Sequence, residues 1–349
     1  MSDPTAAARR ALFRRLLPEG PPILWCPLLT HYGDAGELDT ARMEAHLAHI
    51  SPLVKGYLIP GTTGDGWEMS AHERRQVAEF AVGAARRLGL RVLIGVLERE
   101  AGAARARIAE TASWLRGLGA TEDDLEVLVA AGVCGFAVCP PAGSERSQQE
   151  ILAGLQGVLS LGLPAALYQL PQVTQNEMSP ATVHTLADRF PNLILLKDSS
   201  GADRVACADL DYGDIFLVRG AEGDYARWLR ASGGPYDGLL LSTANCFAPW
   251  LHQLVHEGLA GHPLDAEGLS ARLTSIISAA FAVVDGLPYG NRFTNANKAF
   301  DHFFAYGLKA GQVTPPWLHA GRRLPVEVIA RIGEVLRQHD LMPARGYLE

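Results

Sequence analysis

Eight short apolar runs punctuate the chain, and between them apolar residues fall at the three- and four-residue intervals of amphipathic helices. The runs cover residues 23–29, 56–61, 91–97, 135–140, 165–170, 193–198, 215–220 and 237–242. Each is of strand length and none alternates strictly, which is the pattern of parallel strands buried on both faces. The helical stretches carry start signals. Ser70-Ala71-His72-Glu73 has the form of a capping box, Ser179-Pro180 pairs a cap with a first-turn proline, and Asp3-Pro4 opens a leading helix. Eight strands alternating with helices over about 240 residues predict an α/β fold, a closed (β/α)₈ TIM barrel, with a doubly wound open sheet as the alternative.

The expected organisation is an N-terminal helix or extension over 1–19, the barrel over 20–262 and a C-terminal helical region over 263–349. Residues 99–134 are longer than one helix needs; we read them as a helical insertion on the barrel rim, broken at 117–121. After the eighth run no strand pattern recurs. Segments 246–259, 266–285, 292–310 and 325–338 read as helices, the last three forming a C-terminal appendage.

A chain of 349 residues with 48% hydrophobic content can build one large core. The net charge of −7, with Lys and Arg scattered, argues against a nucleic-acid face and leaves a small organic molecule as the default partner. Five cysteines without a CxxC pair suggest neither a disulfide scaffold nor a zinc site, and fit a reducing cytoplasm. The arginine-rich stretch 6–17 lacks the apolar block of a signal peptide, and no run approaches the roughly 20 apolar residues of a membrane span. His46 with His49, and His252 with His256, are spaced for one helix face but lack a third ligand at motif spacing. They read as solvated faces, and no metal or cofactor is expected.

In a barrel the chemistry collects where strands end. The second run ends in Gly61-Thr62-Thr63-Gly64-Asp65-Gly66, a loop whose backbone N–H groups and two hydroxyls can hold a carboxylate, or which is simply a tight turn. The sixth ends in Lys197, after four apolar residues. A desolvated lysine loses its preference for the ammonium form and becomes a usable nucleophile; the plain alternative is a lysine reaching solvent. Strand alternation sends Asp198 to the opposite face. Tyr168 ends the fifth run, one βα unit before Lys197, where a phenol can exchange protons with a substrate or merely fill the core.

Four segments at these strand ends are Gly61-Thr62-Thr63-Gly64-Asp65, Tyr168-Gln169-Leu170-Pro171, Lys197-Asp198-Ser199-Ser200-Gly201 and Gly238-Leu239-Leu240-Leu241-Ser242-Thr243-Ala244-Asn245. In order and spacing they resemble the dihydrodipicolinate synthase and N-acetylneuraminate lyase superfamily over residues 20–310. The resemblance implies a class I lyase acting on a 2-keto acid such as pyruvate, assembled as a homotetramer or homodimer. Lys197 would form the Schiff base, Thr62 and Thr63 would bind the substrate carboxylate, Tyr168 would transfer protons, and the backbone of Gly220 would face the substrate. Leu240 falls in the fourth segment, at the eighth strand, and is carried over as a substrate contact.

The departures bear on the substrate. Dihydrodipicolinate synthases have an arginine where this chain has Val173, and a tyrosine pair, one member of which completes a proton relay, where it has Pro140-Pro141-Ala142. Gln169, Gln172, Thr174, Gln175 and Asn176 suggest neutral groups suited to hydroxyls. Arg219, ending the seventh run, offers a cationic contact from another direction unless it points outward. These features favour aldol cleavage or dehydration of a 2-keto-3-deoxy sugar acid. The alternatives are a dihydrodipicolinate synthase-type condensation, a hydratase-aldolase for an aromatic ylidene pyruvate (Trp67 being its motivation), a non-catalytic 2-keto-acid-binding protein, and a phosphate-dependent enzyme with an anion site at Gly220 and Ser242-Thr243-Ala244-Asn245.

Overall fold

The computed structural model describes residues 3–119, 121–260 and 268–349. The eight runs form parallel strands in chain order: β1 (Leu24–Cys26), β2 (Gly56–Ile59), β3 (Arg91–Val96), β4 (Val133–Val138), β5 (Ala165–Gln169), β6 (Leu193–Asp198), β7 (Phe216–Arg219) and β8 (Gly238–Leu240). β8 pairs back onto β1, Leu24 opposite Leu239, so the sheet is a closed barrel and not a doubly wound one.

Two apolar layers explain why the strands do not alternate in polarity. Leu58, Leu93, Ala166, Leu195, Val218 and Leu240 fill the barrel, while Tyr57, Ile94, Leu167, Leu196, Leu217 and Leu239 pack under the helices. The two-residue period is present, but both of its phases are apolar.

The helix starts follow their chemistry. Ser70 and Glu73 form a reciprocal capping box on the helix Ala71–Leu88, and Ser179 caps Pro180–Arg189. Asp3 caps the leading helix Pro4–Leu16, whose Arg9 is fully buried. Its guanidinium donates to the carbonyls of Ala187, Phe190, Leu193 and Gly213, pinning the helix to the end of the barrel where β6 begins. Satisfied carbonyls compensate the buried charge.

Within 99–134, the helix Ala101–Leu118 lies against β3 and the helix Gln148–Leu159, the place of a regular barrel helix. The extra length is the helix Asp124–Ala130, which runs into β4 and touches the leading helix, at the end opposite the strand C-termini. Residue 120, inside the expected break, lies outside the described residues, as do the expected domain boundary at 262/263 and residues 266 and 267 of the expected helix.

Beyond β8 run the helices Ala244–Leu259, Leu269–Val284, Arg292–Tyr306 and Val326–Gln338. Two expectations are corrected. The helix expected over 292–310 ends at Tyr306, because Gly307 takes a positive φ of 52° and a 3₁₀ turn follows. Trp317–Leu318 also pairs antiparallel with Arg322–Arg323, strands too short for hydrophobic periodicity to register.

Candidate active site

Register brings the two candidate reactive groups together. Tyr168 on β5 lies opposite Lys197 on β6, and strand alternation turns both into the barrel while Asp198 faces outward. Lys197 is 5% exposed and its Nζ sits 4.1 Å from the centre of the Tyr168 ring. Among the described residues no carboxylate comes within ion-pair distance of it. Burial therefore dominates and lowers the amine to about 7, against smaller opposing effects from Cys139, Glu222 and Cys26.

Gly220, directly after β7, provides the room. A Cβ there would stand 2.1 Å from Ser199 Oγ and 2.7 Å from Lys197 Cε, so a side chain at this place would displace both. The buried Ser199 hydroxyl adds a polar group beside the lysine, on the Tyr168 side of it.

The phenol of Tyr168 is 3.2 Å from Thr62 Oγ1, which in turn accepts a hydrogen bond from Trp67 Nε1 at 3.1 Å. Burial and Cys139 push the phenol up, and the Thr62 and Ser199 hydroxyls pull it partly back. Thr62 and Thr63 are both buried in the loop after β2. The N–H groups of Gly64, Asp65 and Gly66 are bonded to carbonyls within that loop and are not free to hold a carboxylate.

The C-terminal region holds this loop in place. Asn291 donates to the Thr62 carbonyl at 3.1 Å, Thr294 to the Thr63 carbonyl at 2.9 Å, and Lys298 Nζ lies 3.5 Å from Asp65 Oδ2. These positions are spaced i, i+3, i+7 and share one helix face. Sequence reading missed all three, because nothing local says that this face meets a loop about 230 residues earlier in the chain.

Glu222, just past β7, was also missed. Its carboxylate accepts from Ser242 Oγ at 2.6 Å, Thr243 Oγ1 at 2.7 Å, the Thr243 N–H at 3.1 Å and Tyr225 OH at 3.0 Å. The suggested anion site at 242–245 is thus filled by the chain's own carboxylate, and the phosphate reading fails there. Asn245 has a separate task, binding the Leu29 N–H and the carbonyls of Pro27 and Ser242 and so tying the ends of β1 and β8.

His46 is not on a solvated face. It is sealed from solvent, its Nε2 donates to the Asn245 carbonyl at 2.8 Å, and its Nδ1 therefore accepts from His31 Nε2 at 3.1 Å. Burial holds both imidazoles below their usual range. His31, His46 and Asp301 bring potential ligand atoms within 4.8 Å of one another, the one such trio among the described residues. Arg42 and Tyr347 engage the Asp301 carboxylate and, against the effect of burial, Arg42 keeps it ionised. The group reads as a complete hydrogen-bonded network joining the barrel to the C-terminal helices.

Comparison with known proteins agrees with this geometry. The profile of the Dihydrodipicolinate synthetase family matches residues 123–290. A 4-hydroxy-tetrahydrodipicolinate synthase of Agrobacterium fabrum is 26% identical over 262 residues, 73% of this chain and 81% of that one. YagE of Escherichia coli K12, provisionally assigned as a 2-dehydro-3-deoxy-D-gluconate aldolase, is 29% identical over 191 residues, 54% of this chain and 55% of its own. The crystal structure of YagE with pyruvate superposes with a TM-score of 0.69 at 21% identity, covering 92% of this chain and 99% of that one. Residues 123–290 thus match the Dihydrodipicolinate synthetase family, and the relatives and fold neighbour of that kind extend the likeness over most of the chain.

The chain's departures from the dihydrodipicolinate synthase pattern are now located. Val173 sits on the short helix Pro171–Thr174, half-buried against the interior cluster that contains Tyr168 and Leu240. Leu240 is part of the packed barrel floor. Arg219 is corrected: it neither reaches the Lys197 pocket nor points to solvent. Its guanidinium pairs with Asp203 at 3.0 and 3.1 Å, donates to the carbonyls of Ala221 and Gly223, and stacks 4.4 Å over Trp228.

The neutral loop groups are corrected likewise. Gln169 binds the backbone of Met178, Gln172 the Ser199 carbonyl, Thr174 the Leu170 carbonyl, and Asn176 those of Pro141 and Gly143. They shape the loop and are not presented to a ligand.

Proposed function

We propose that this protein is a Schiff-base lyase in which Lys197 forms an imine with C2 of an uncharged-tailed, hydroxylated 2-keto acid, of the 2-keto-3-deoxy sugar acid class, and cleaves it to pyruvate and an aldehyde. The observation that carries the proposal is a buried amine, with a phenol against it and no carboxylate pairing it.

The roles follow from the geometry. The neutral amine adds to C2 while the hydroxyls of Thr62 and Thr63 hold the substrate carboxylate. Loss of the carbinolamine hydroxyl as water takes the Tyr168 proton and leaves a protonated imine beside a phenolate. The phenolate then accepts the proton of the C4 hydroxyl, the C3–C4 bond breaks, and its electron pair enters the imine to give an enamine. Tyr168 returns the proton to C3, and hydrolysis releases pyruvate. The same imine can instead expel a hydroxyl, so a dehydration needs no further residues.

What supports an uncharged tail is charge. The place of the family's arginine is Val173, Arg219 is already paired with Asp203, and the Glu222 carboxylate stands close enough to act on the Lys197 amine. An acceptor bearing a second carboxylate would meet repulsion without a compensating cation. Ser199 and Glu222 offer hydrogen bonds to hydroxyls instead. Trp67, bonded to Thr62, is engaged within the site and no longer argues for an aromatic substrate. Five unpaired thiols suit a reducing cytoplasm, and we expect a homo-oligomer, which sedimentation would measure.

Incubation with pyruvate and borohydride, followed by peptide mass spectrometry, tests the reading. A reduced adduct on Lys197 is expected, together with cleavage of 2-keto-3-deoxy sugar acids. Absence of an adduct with pyruvate and with longer 2-keto acids would overturn it.

A further inference from the structure

The loop after β2 contains a contact that the resemblance does not account for. Dihydrodipicolinate synthases complete the tyrosine relay with a second tyrosine after the fourth strand, and this chain has Pro140-Pro141-Ala142 there. Thr62 nevertheless has two partners. One is the Tyr168 phenol at 3.2 Å, and the other is the indole N–H of Trp67 at 3.1 Å.

An indole N–H can only donate, so Thr62 Oγ1 accepts from Trp67. The Thr62 hydroxyl keeps one proton, and the acceptor within reach is the Tyr168 oxygen. With Thr62 donating to it, the phenol directs its own proton away from the loop, on the side where Ser199 approaches it. Reversing the order would place two donors on Thr62 and leave its own proton without an acceptor.

We propose that Trp67 is a positioning residue for the acid–base step: through Thr62 it sets the direction of the Tyr168 hydroxyl, closing the relay within the β2 loop where dihydrodipicolinate synthases use a second tyrosine. Trp67 transfers no proton, since its nitrogen has no lone pair to accept one. It stabilises the phenolate indirectly, by keeping the Thr62 proton on the Tyr168 oxygen whenever the phenol has given its own away. The half-buried indole also covers Thr62, with the Arg99 guanidinium 6.0 Å from its ring centre on the outer side. Placement explains why the contact forms. Gly66 packs so closely, an added Cβ standing 2.8 Å from Leu97 and 3.0 Å from the Gly61 carbonyl, that the chain turns sharply and the next side chain folds back over Thr62.

This inference rests on the imine reading above, and a probe that needs no knowledge of the aldol tests it. In D2O the pyruvate imine loses a methyl proton to the Tyr168 phenolate and regains a deuteron, so proton NMR of the pyruvate methyl group follows the proton transfers of Tyr168 without an aldol substrate. Borohydride trapping on Lys197 follows imine formation separately. Trp67→Phe should slow exchange about tenfold, the usual scale for one lost orienting hydrogen bond, at an unchanged extent of trapping. Replacing Trp67 by benzothienylalanine, which keeps the shape and removes the N–H, should slow it equally. In a Thr62→Val background Trp67→Phe should have no further effect, because its route to Tyr168 is already cut. Native exchange rates in the benzothienylalanine protein, or slowing that multiplies with that of Thr62→Val, would overturn the proposal. Failure of the unaltered protein to trap pyruvate or longer keto acids would instead overturn the imine reading beneath it.

Discussion

Lys197 and Lys298 are both nearly sealed from water, 5% and 0% exposed, and each amine lies over a tyrosine ring, at 4.1 Å from Tyr168 and 4.4 Å from Tyr32. Burial disfavours the ammonium form of both. Their partners differ. Lys298 lies 3.5 Å from the Asp65 carboxylate and donates to the Trp317 carbonyl at 2.9 Å, so its charge is held and it ties the β2 loop to the C-terminal helices. Lys197 has thiols and a more distant carboxylate around it, and its charge is easily given up. Desolvation alone thus does not make a nucleophile. The missing counter-charge does.

The sharpest way to break this comparison is to remove each amine at constant shape. Lys197→Met should abolish both borohydride trapping and turnover, yet leave the thermal midpoint unchanged or higher. The sign follows from linkage: the folded-state value near 7 lies below the ordinary 10.5, so the buried lysine destabilises the fold fully below pH 7 and less as the pH rises towards 10.5. The gain from Lys197→Met should shrink over that window in thermal scans, and a loss of stability at pH 6 would contradict it. Lys298→Met should do the reverse. It leaves Asp65 buried without its cation, and denaturant titration should record a loss of about 3 kcal/mol. The KM for 2-keto acids should rise as well, because Asp65 belongs to the loop that carries Thr62 and Thr63.

Smaller effects refine the picture around Lys197. Tyr168→Phe keeps the ring beneath the amine and removes only the proton, so the final extent of trapping should persist while imine formation slows and turnover falls by roughly a hundredfold. An unchanged rate would take the phenol out of the mechanism. The smallest expected change is in the pH dependence of trapping. Since the neutral amine is the nucleophile, the rate should rise with pH through about 7 in the native protein. Glu222→Gln should move that midpoint downward, because Glu222 favours the ammonium form.

Much of the fold could be read from the chain because it depends on local rules. Parallel strands that are covered twice must be apolar in both phases, and β6 occupies its expected span of 193–198. Lys197 and Tyr168 stood out for the same reason: each ends an apolar strand, and parity alone turns both inward. Arg219 shows where such reading stops. Its position at the end of β7 was correctly seen, but its partner Asp203 arrives from a loop 16 residues earlier, and that pairing removes it from the substrate. Gln169 and Asn176 failed similarly, since a polar side chain beside a pocket serves the loop's own backbone whenever that backbone lacks partners.

The sequence by itself therefore determined the barrel, the order of its strands, and which lysine and tyrosine lie at one end of adjacent strands, all consequences of burial and two-residue periodicity. The tertiary structure alone decided which groups surround them. Glu222 with Ser242 and Thr243, Trp67 with Thr62, and Asn291, Thr294 and Lys298 beneath the β2 loop are contacts between separate segments or across a folded-back turn. The physical reason is that hydrogen bonds and ion pairs act over about 3 Å, and only the closed barrel and its packed helices bring those atoms within that range.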